Sequence, residues 1–293
     1  MVELYEQITW NKRKSYLYML FFVVLMFSLA YIFGELTGFG YFASTFAIII
    51  AIIMVVGAYY YSDKIVLSTV NARPLRKSEF PFLFHTVEGL SIAAGLPVPK
   101  VYVIDDESIN AFATGRDPQN AVLVVNTGTI KKLNRLELEG VIAHEMSHVK
   151  NYDIRMMMYA AVMVGAIAII ADMMLRVGFR GGGNSKGKGG GAIVIIGIVL
   201  AILAPIFAKL VQLAISRKRE YLADASGALL TRYPEGLAAA LEKIKNDTSP
   251  GMGNVSEAVA PLFISNPLNK RFVGNLFSTH PPLEDRIAKL RRM

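Results

Sequence analysis

Two of the chain's four histidines stand in His144-Glu145-Met146-Ser147-His148. On a helix, positions i and i+4 lie about 40° apart around the axis and one turn apart along it, so both imidazoles reach one metal ion. Glu145 sits between them without joining the ligand face, where it can take a proton from a metal-activated water and pass it to a leaving amine. An unliganded imidazole pair beside a carboxylate is an unfavourable thing to bury in an apolar helix, which weighs against two merely structural histidines. The chain has no Cys, which removes disulfides, thiolate ligands and cysteine nucleophiles and leaves another His or a carboxylate as third ligand. Glu220 is the choice: in Glu220-Tyr221-Leu222-Ala223-Asp224 the two carboxylates share a helix face, so Glu220 binds metal while Asp224 accepts a hydrogen bond from a ligand imidazole. Along a continuous helix Asn151 lies about 20° from His144 and is expected to support the ligands, whereas Asp153 lies nearly opposite and is expected to be structural. His280, in Ser278-Thr279-His280-Pro281-Pro282, stands at a helix start with Pro in its first turn and is placed to donate to an oxyanion. His85, beside Phe82, Leu83 and Phe84, is assigned no role.

These residues need elements to hold them. Asn134 followed by Glu137 predicts an N-cap pair opening a long helix that carries both histidines and is free to continue into the apolar stretch beyond. A helix is expected from Ser78 to Ala94, stopped by Gly95 with Pro97 and Pro99 just after. The Val-rich segments Lys100–Ile104 and Ala121–Asn126 predict strands, with an edge strand or loop at 110–115. Further helices are expected at 220–230, 234–244 and 281–292. Glu220 lies 72 positions beyond His148, and an apolar up-and-down pair between them would return the chain to the same side.

Composition supplies that pair. Apolar residues make up 53%, charged residues 18%, and mean hydropathy is +0.41, too greasy for disorder and for most soluble enzymes. Tyr16–Gly34 is uncharged and as a helix would measure roughly 28 Å, close to a bilayer core. Leu36–Ser62 is uncharged as well and ends in Tyr59, Tyr60 and Tyr61, an interfacial belt. Lys12, Arg13 and Lys14 precede the first stretch and only Glu35 separates the two, which puts the N-terminus and everything after Tyr61 in the cytoplasm. Met156–Leu175 and Ala192–Ser216 form a second pair, interrupted by Asp172 and Lys209 and joined by a basic, Gly-rich loop. One charge in each costs at most about 3 kcal/mol, less than the apolar residues around it return, but the loop cations Arg176, Arg180, Lys186 and Lys188 oppose an outside placement, so the pair either spans or lies at the membrane surface, partly inserted. The excess of 31 cations over 23 anions gathers at the borders of these stretches with no reading module for nucleic acid. The division expected is therefore an N-terminal hairpin over 1–62, a first catalytic part over 63–155, a second apolar pair over 156–216 and a second catalytic part over 217–293. The fold class is mainly α, four apolar helices in two hairpins with an α+β catalytic domain of zincin type and a small sheet.

Taken together, the two N-terminal stretches, His144-Glu145-x-x-His148 followed by Asn151 and Asp153, the second apolar pair, Glu220-x-x-x-Asp224 and the late His280-Pro281-Pro282 with Arg286 resemble the HtpX-like membrane zinc metalloproteases, relatives of the CAAX prenyl protease. The resemblance implies a multi-pass endopeptidase of the cytoplasmic membrane, its site facing the cytoplasm, that takes part in quality control of damaged membrane proteins under stress. It implies one zinc ion per chain held by His144, His148 and Glu220, with Glu145 as the catalytic carboxylate. Asn110, Ala111 and Phe112 match an edge strand that holds the substrate main chain, and His280 and Arg286 match residues near the reacting carbonyl. The partners implied are protein substrates, chiefly membrane proteins, and the lipid bilayer. A scaffold with a purely structural zinc would close the site with a fourth protein ligand and would have no use for Glu145. A transporter would need more than one charge in each later stretch to line a pathway.

Overall fold

The structure, a computed structural model, describes residues 2–37, 40–158, 217–250 and 281–293, most of 252–267, and a few isolated residues between 159 and 216. The connecting loop of the second apolar pair, nearly all of that pair including Lys209, and His280 lie outside the described residues. Helices α1 (Val2–Thr37) and α2 (Gly40–Thr69) pack along each other and enclose almost all of the two N-terminal uncharged stretches. Large apolar side chains face outward on both, Leu17 at 60% exposure and Ile53 at 63% among them. Among the described residues no helix is long and apolar enough to cross a membrane, where the uncharged stretches predict two spans.

Beyond α2 the chain forms strands β1 (Arg73–Pro74), β2 (Lys100–Ile104), β3 (Ala111–Thr114) and β4 (Val122–Asn126). They lie in the order β1-β2-β4-β3, with β2 and β4 parallel and the outer pairings antiparallel. Alternation across the pleat splits the core in two. Val101, Val103, Ala111, Leu123 and Val125 face Leu138, Val141 and Ile142, along with α3 (Pro81–Ala94), while Ile104, Phe112, Val122 and Val124 meet Val66 and Val70 at the end of α2, with Phe263. β4 is therefore buried along its whole length, as a central strand with both faces covered should be. α3 starts at Pro81, later than the expected Ser78, because Pro at the first helical position sets the entry. Gly95 ends it in a left-handed conformation at φ +68°, as expected of a C-terminal glycine.

A short helix, α4 (Thr127–Lys132), leads to α5 (Arg135–Lys150), which carries both motif histidines. Its start is a full capping box: Asn134 accepts from the Glu137 N–H and Glu137 accepts from the Asn134 N–H. The helix does not run on into the third apolar stretch. It stops at Lys150, where the Asn151 N–H bonds back to Ser147 O and the Tyr152 N–H to Val149 O and Tyr152 takes a left-handed backbone at φ +59°. Helical turns resume only at 153–158.

α6 (Arg217–Thr231) and α7 (Pro234–Asn246) pack on α5, and α8 (Leu283–Leu290) packs on α7 and α6. The α5–α6 approach is close because Gly227 faces α5: a Cβ there would lie 3.0 Å from the His144 backbone nitrogen.

Candidate metal centre

His144 and His148 project from one face of α5, and α6 brings Glu220 opposite them. One ligand atom from each of the three lies within 4.8 Å of the others, and all three residues are buried. The two Nε2 atoms are 3.2 Å apart. Glu220 Oε1 is 3.5 Å from His148 Nε2, and Oε2 is 3.8 Å from His144 Nε2. A tetrahedral ion with ligand bonds of about 2.0–2.1 Å needs its donors about 3.3–3.4 Å apart, so the constellation has the size of a small divalent cation's shell. Each imidazole is aimed from behind. His144 Nδ1 is 2.9 Å from Asp224 Oδ1 and His148 Nδ1 is 3.0 Å from Asp153 Oδ2. A carboxylate at Nδ1 fixes the proton there and leaves the Nε2 lone pair directed at the shared point.

Asp224 thus lies where the sequence put it, and Asp153 does not. The expectation that Asp153 faces away came from continuing the helix through 100° per residue, and the left-handed Tyr152 breaks that count. Asn151 is buried and ends α5 through its main chain, its carbonyl accepting from the side chain of Asn11 in α1 at 3.0 Å. Arg286 is fully buried. Its Nε and Nη2 donate to both oxygens of Asp224, at 2.8 and 2.6 Å, and Nη1 lies 3.2 Å from Glu220 Oε2. Its guanidinium bridges Asp224, behind His144, and the ligand Glu220, with Nη2 3.4 Å from His144 Nε2. His85 is exposed and pairs with Glu88.

The charge of the centre states what it wants. Glu145, Asp153, Glu220 and Asp224 are buried together with Arg286 and, largely, Arg219, so four carboxylates against two guanidiniums leave two negative charges. Burial pushes the Glu145 carboxyl up to about 8, helped by Glu220 and opposed by His148 and the Ala113 N–H. Burial works against the charged form of His148, but the hydrogen bond to Asp153 and the charge of Glu220 prevail and raise it to about 9. His144 is shifted down, chiefly by burial, with Asp224 opposing and Arg286 assisting. Two protons, on Glu145 and His148, therefore balance the centre electrostatically, and one dication would do the same.

Glu145 Oε2 accepts the Ala113 N–H of β3 at 2.9 Å, which ties the motif carboxylate to the outward side of the edge strand. Further along that edge, Ile264 N–H donates to Ala111 O at 2.9 Å and Asn110 Nδ2 donates to Ser265 O at 2.8 Å. The rings of Phe112 and Phe263 meet at a tilt of 55°, centroids 4.6 Å apart. Ala111 and Phe112 open the edge strand β3, Asn110 lies just before it, and residues 263–265 lie along them.

Residues 77–293 match the family described as Peptidase family M48. The chain is 50% identical over 293 residues to a Protease HtpX homolog of Dictyoglomus thermophilum, covering 99% of this chain and 94% of that one. It is 44% identical over 295 residues to a Protease HtpX homolog of Caldanaerobacter subterraneus subsp. tengcongensis, covering 99% and 98%. In three dimensions the fold is similar to the crystal structure of S. mikatae Ste24p, with a TM-score of 0.50 at 20% identity over 99% of this chain and 67% of that one.

Proposed function

The chain belongs to peptidase family M48 and is a metallopeptidase, and on that footing we propose that it is a zinc-dependent endopeptidase of the cytoplasmic membrane that cuts damaged or misfolded membrane proteins. The observation that carries this reading is the convergence of His144, His148 and Glu220 within 4.8 Å, with Glu145 between the imidazoles in sequence. These three residues would hold one zinc ion, whose borderline-soft character suits a nitrogen and oxygen donor set with a position left open. When bound, the ion supplies Lewis acidity and eases deprotonation of a water at the site. Glu145, oriented by the Ala113 N–H, takes the proton from that water as its oxygen bonds to the peptide carbonyl carbon. The same carboxyl then delivers the proton to the amine nitrogen as the C–N bond breaks. Asp224 and Asp153 keep the two imidazoles in their ligating tautomers. His280 steadies the oxyanion.

An extended substrate docks along the outward edge of β3 beside Glu145, by strand addition. Ile264 and Ser265 have to give way before Ala111 and Asn110 take part. The membrane reading rests on the two uncharged stretches in α1 and α2 and on the cations at Lys12, Arg13 and Lys14, which favour a cytoplasmic N-terminus. Asn11 touches the back of the metal centre and Tyr16 begins the first uncharged stretch, so the site would sit about 8 Å along the helix from the bilayer edge. That placement suits clients still embedded in the membrane. Glu145→Gln tests the chemistry: the variant should retain about one zinc per chain yet cleave casein or an unfolded membrane protein at least about 100-fold more slowly. Undiminished cleavage, or a wild-type protein that carries no zinc, would reject the assignment.

A further inference from the structure

Asn11 lies in α1, outside the catalytic parts of the chain, yet it is 4% exposed. Its side-chain amide has two N–H bonds, and both are directed at the back of the metal centre. One donates to Asn151 O at 3.0 Å and the other to Asp153 Oδ1 at 2.8 Å, across 142 positions of sequence. Asn151 O is at the C-terminal end of α5, where carbonyls lack a partner within the helix. Asp153 uses its other oxygen, Oδ2, to accept from His148 Nδ1 at 3.0 Å. The path from α1 to a ligating imidazole is thus two hydrogen bonds long and dry: Asn11, Asp153 and His148 are all buried. Ser15 Oγ, also buried, donates to the Asn11 carbonyl at 2.9 Å, and Lys12 Nζ lies 4.2 Å from the centre of the Tyr152 ring. This face of α1 is therefore seated on the turn that follows α5. Arg219 reaches the same Asp153 oxygen only at 3.5 Å, which leaves the neutral amide as its shorter partner.

From this geometry we infer that Asn11 is a positioning residue of the metal centre. It holds the Asp153 carboxylate at the angle from which that carboxylate fixes the ring plane and tautomer of His148, so the N-terminal helix completes the site. Without Asn11 the carboxylate keeps at Oδ1 only the longer 3.5 Å contact to Arg219, and it gains freedom to rotate about its own bonds together with the imidazole it orients. Groups that bond directly to a ligating histidine typically change metal affinity by 10–100-fold when lost. Asn11 acts one bond further out, so a loss of about 5–10-fold is expected.

The inference rests on the zinc reading, and the test separates the two. Full-length protein in detergent is titrated with Zn2+ in competition with a chromophoric chelator, for wild type, Asn11→Ala, Asp153→Ala and the double variant. Asn11→Ala should bind zinc about 5–10-fold more weakly, and the same substitution should add nothing once Asp153 is alanine, because the residue acts through that carboxylate. Lys12→Ala, which loosens α1 on Tyr152 and leaves both amide bonds in place, should bind as wild type does. Where Asn11→Ala does not accumulate as folded protein, Asn11→Ser, with one donor, is read by the same criteria. Wild-type affinity in the Asn11 variant overturns the inference. So does a loss that persists in the Asp153→Ala background, or an equal loss in Lys12→Ala. Absence of zinc binding by the wild type fells the metal reading itself.

Discussion

Replacing Arg286 by methionine keeps most of the side-chain volume and deletes the charge that faces Asp224 and Glu220. Its contacts to both carboxylates go with it, at 2.6 and 2.8 Å to Asp224 and 3.2 Å to Glu220, all fully buried. Removing one partner of a buried ion pair costs about 3–5 kcal/mol, mainly because the remaining charge stays buried without compensation. Two carboxylates are stranded here, so the upper end, about 5 kcal/mol, is expected for metal-free protein. At about 2–4 °C per kcal/mol for chains of this order of size, the unfolding midpoint should fall by about 10–20 °C. A bound dication neutralises part of the same excess, so saturating zinc should narrow the gap between variant and wild type. The assay is thermal unfolding in detergent, each protein with chelator and with zinc. Adding Asp224→Leu to Arg286→Met removes both members of the main pair and should recover part of the midpoint, while zinc retention stays poor because His144 has lost its Nδ1 partner. A single variant within about 1 kcal/mol of wild type without metal would refute the bridge, whatever its activity.

Zinc uptake should expel protons. Glu145 at about 8 and His148 at about 9 both hold a proton at pH 7 in the metal-free protein, so one zinc should release about two protons there. The release should fade as the pH rises past both values, and zinc affinity should climb over the same window; an indicator dye in weak buffer reads it, and no release at pH 7 would contradict the charge count. A second pH effect lies away from the centre, at Asp247. Burial opposes its charge, but the Ile109 N–H, Lys132 and Ser249 prevail and hold the carboxyl at about 2. A depressed folded value means stability that is present above the unfolded value of about 4 and is lost as pH falls toward 2. The difference in midpoint between wild type and Asp247→Asn should therefore be full at pH 5 and vanish near pH 2, and a constant difference would show that the charge is not what matters.

What could be read from the chain was local or periodic. The Asn134 and Glu137 pair announced a helix start because the two residues satisfy each other's backbone within one turn, and β2 begins and ends where its Val-rich run does. Glu220 was legible at a distance because Asp224 stands one turn beyond it, a spacing that has meaning only if both side chains serve one face. The break after Lys150 was not legible: Tyr is an ordinary helix residue, and nothing in its neighbours marks it for a left-handed backbone. Once the helix was carried through that point, angular counting sent Asp153 to the wrong side. Asn11 left no trace either, since a polar residue among Lys12, Arg13 and Lys14 reads as a solvated flank, and a hydrogen bond spanning 142 positions has no periodicity. Arg286 was found by its place in a motif, but its partners follow from the packing of α8 against α6.

The bend at Tyr152 also governs how mechanical load reaches the imidazoles. α5 is a hydrogen-bonded rod of 16 residues, stiff over its length and wedged between α6, α7 and the sheet. A segment attached to such a rod without interruption would act as a lever, and every change in bilayer thickness or curvature would arrive as torque on the histidines. At Tyr152 the left-handed backbone breaks that rod, so a movement of 153–158 reaches the histidines through the Asp153–His148 hydrogen bond and not along the helix axis. On the membrane reading proposed above, motion of the lipid would then bear on one imidazole through a side chain and not on the whole helix.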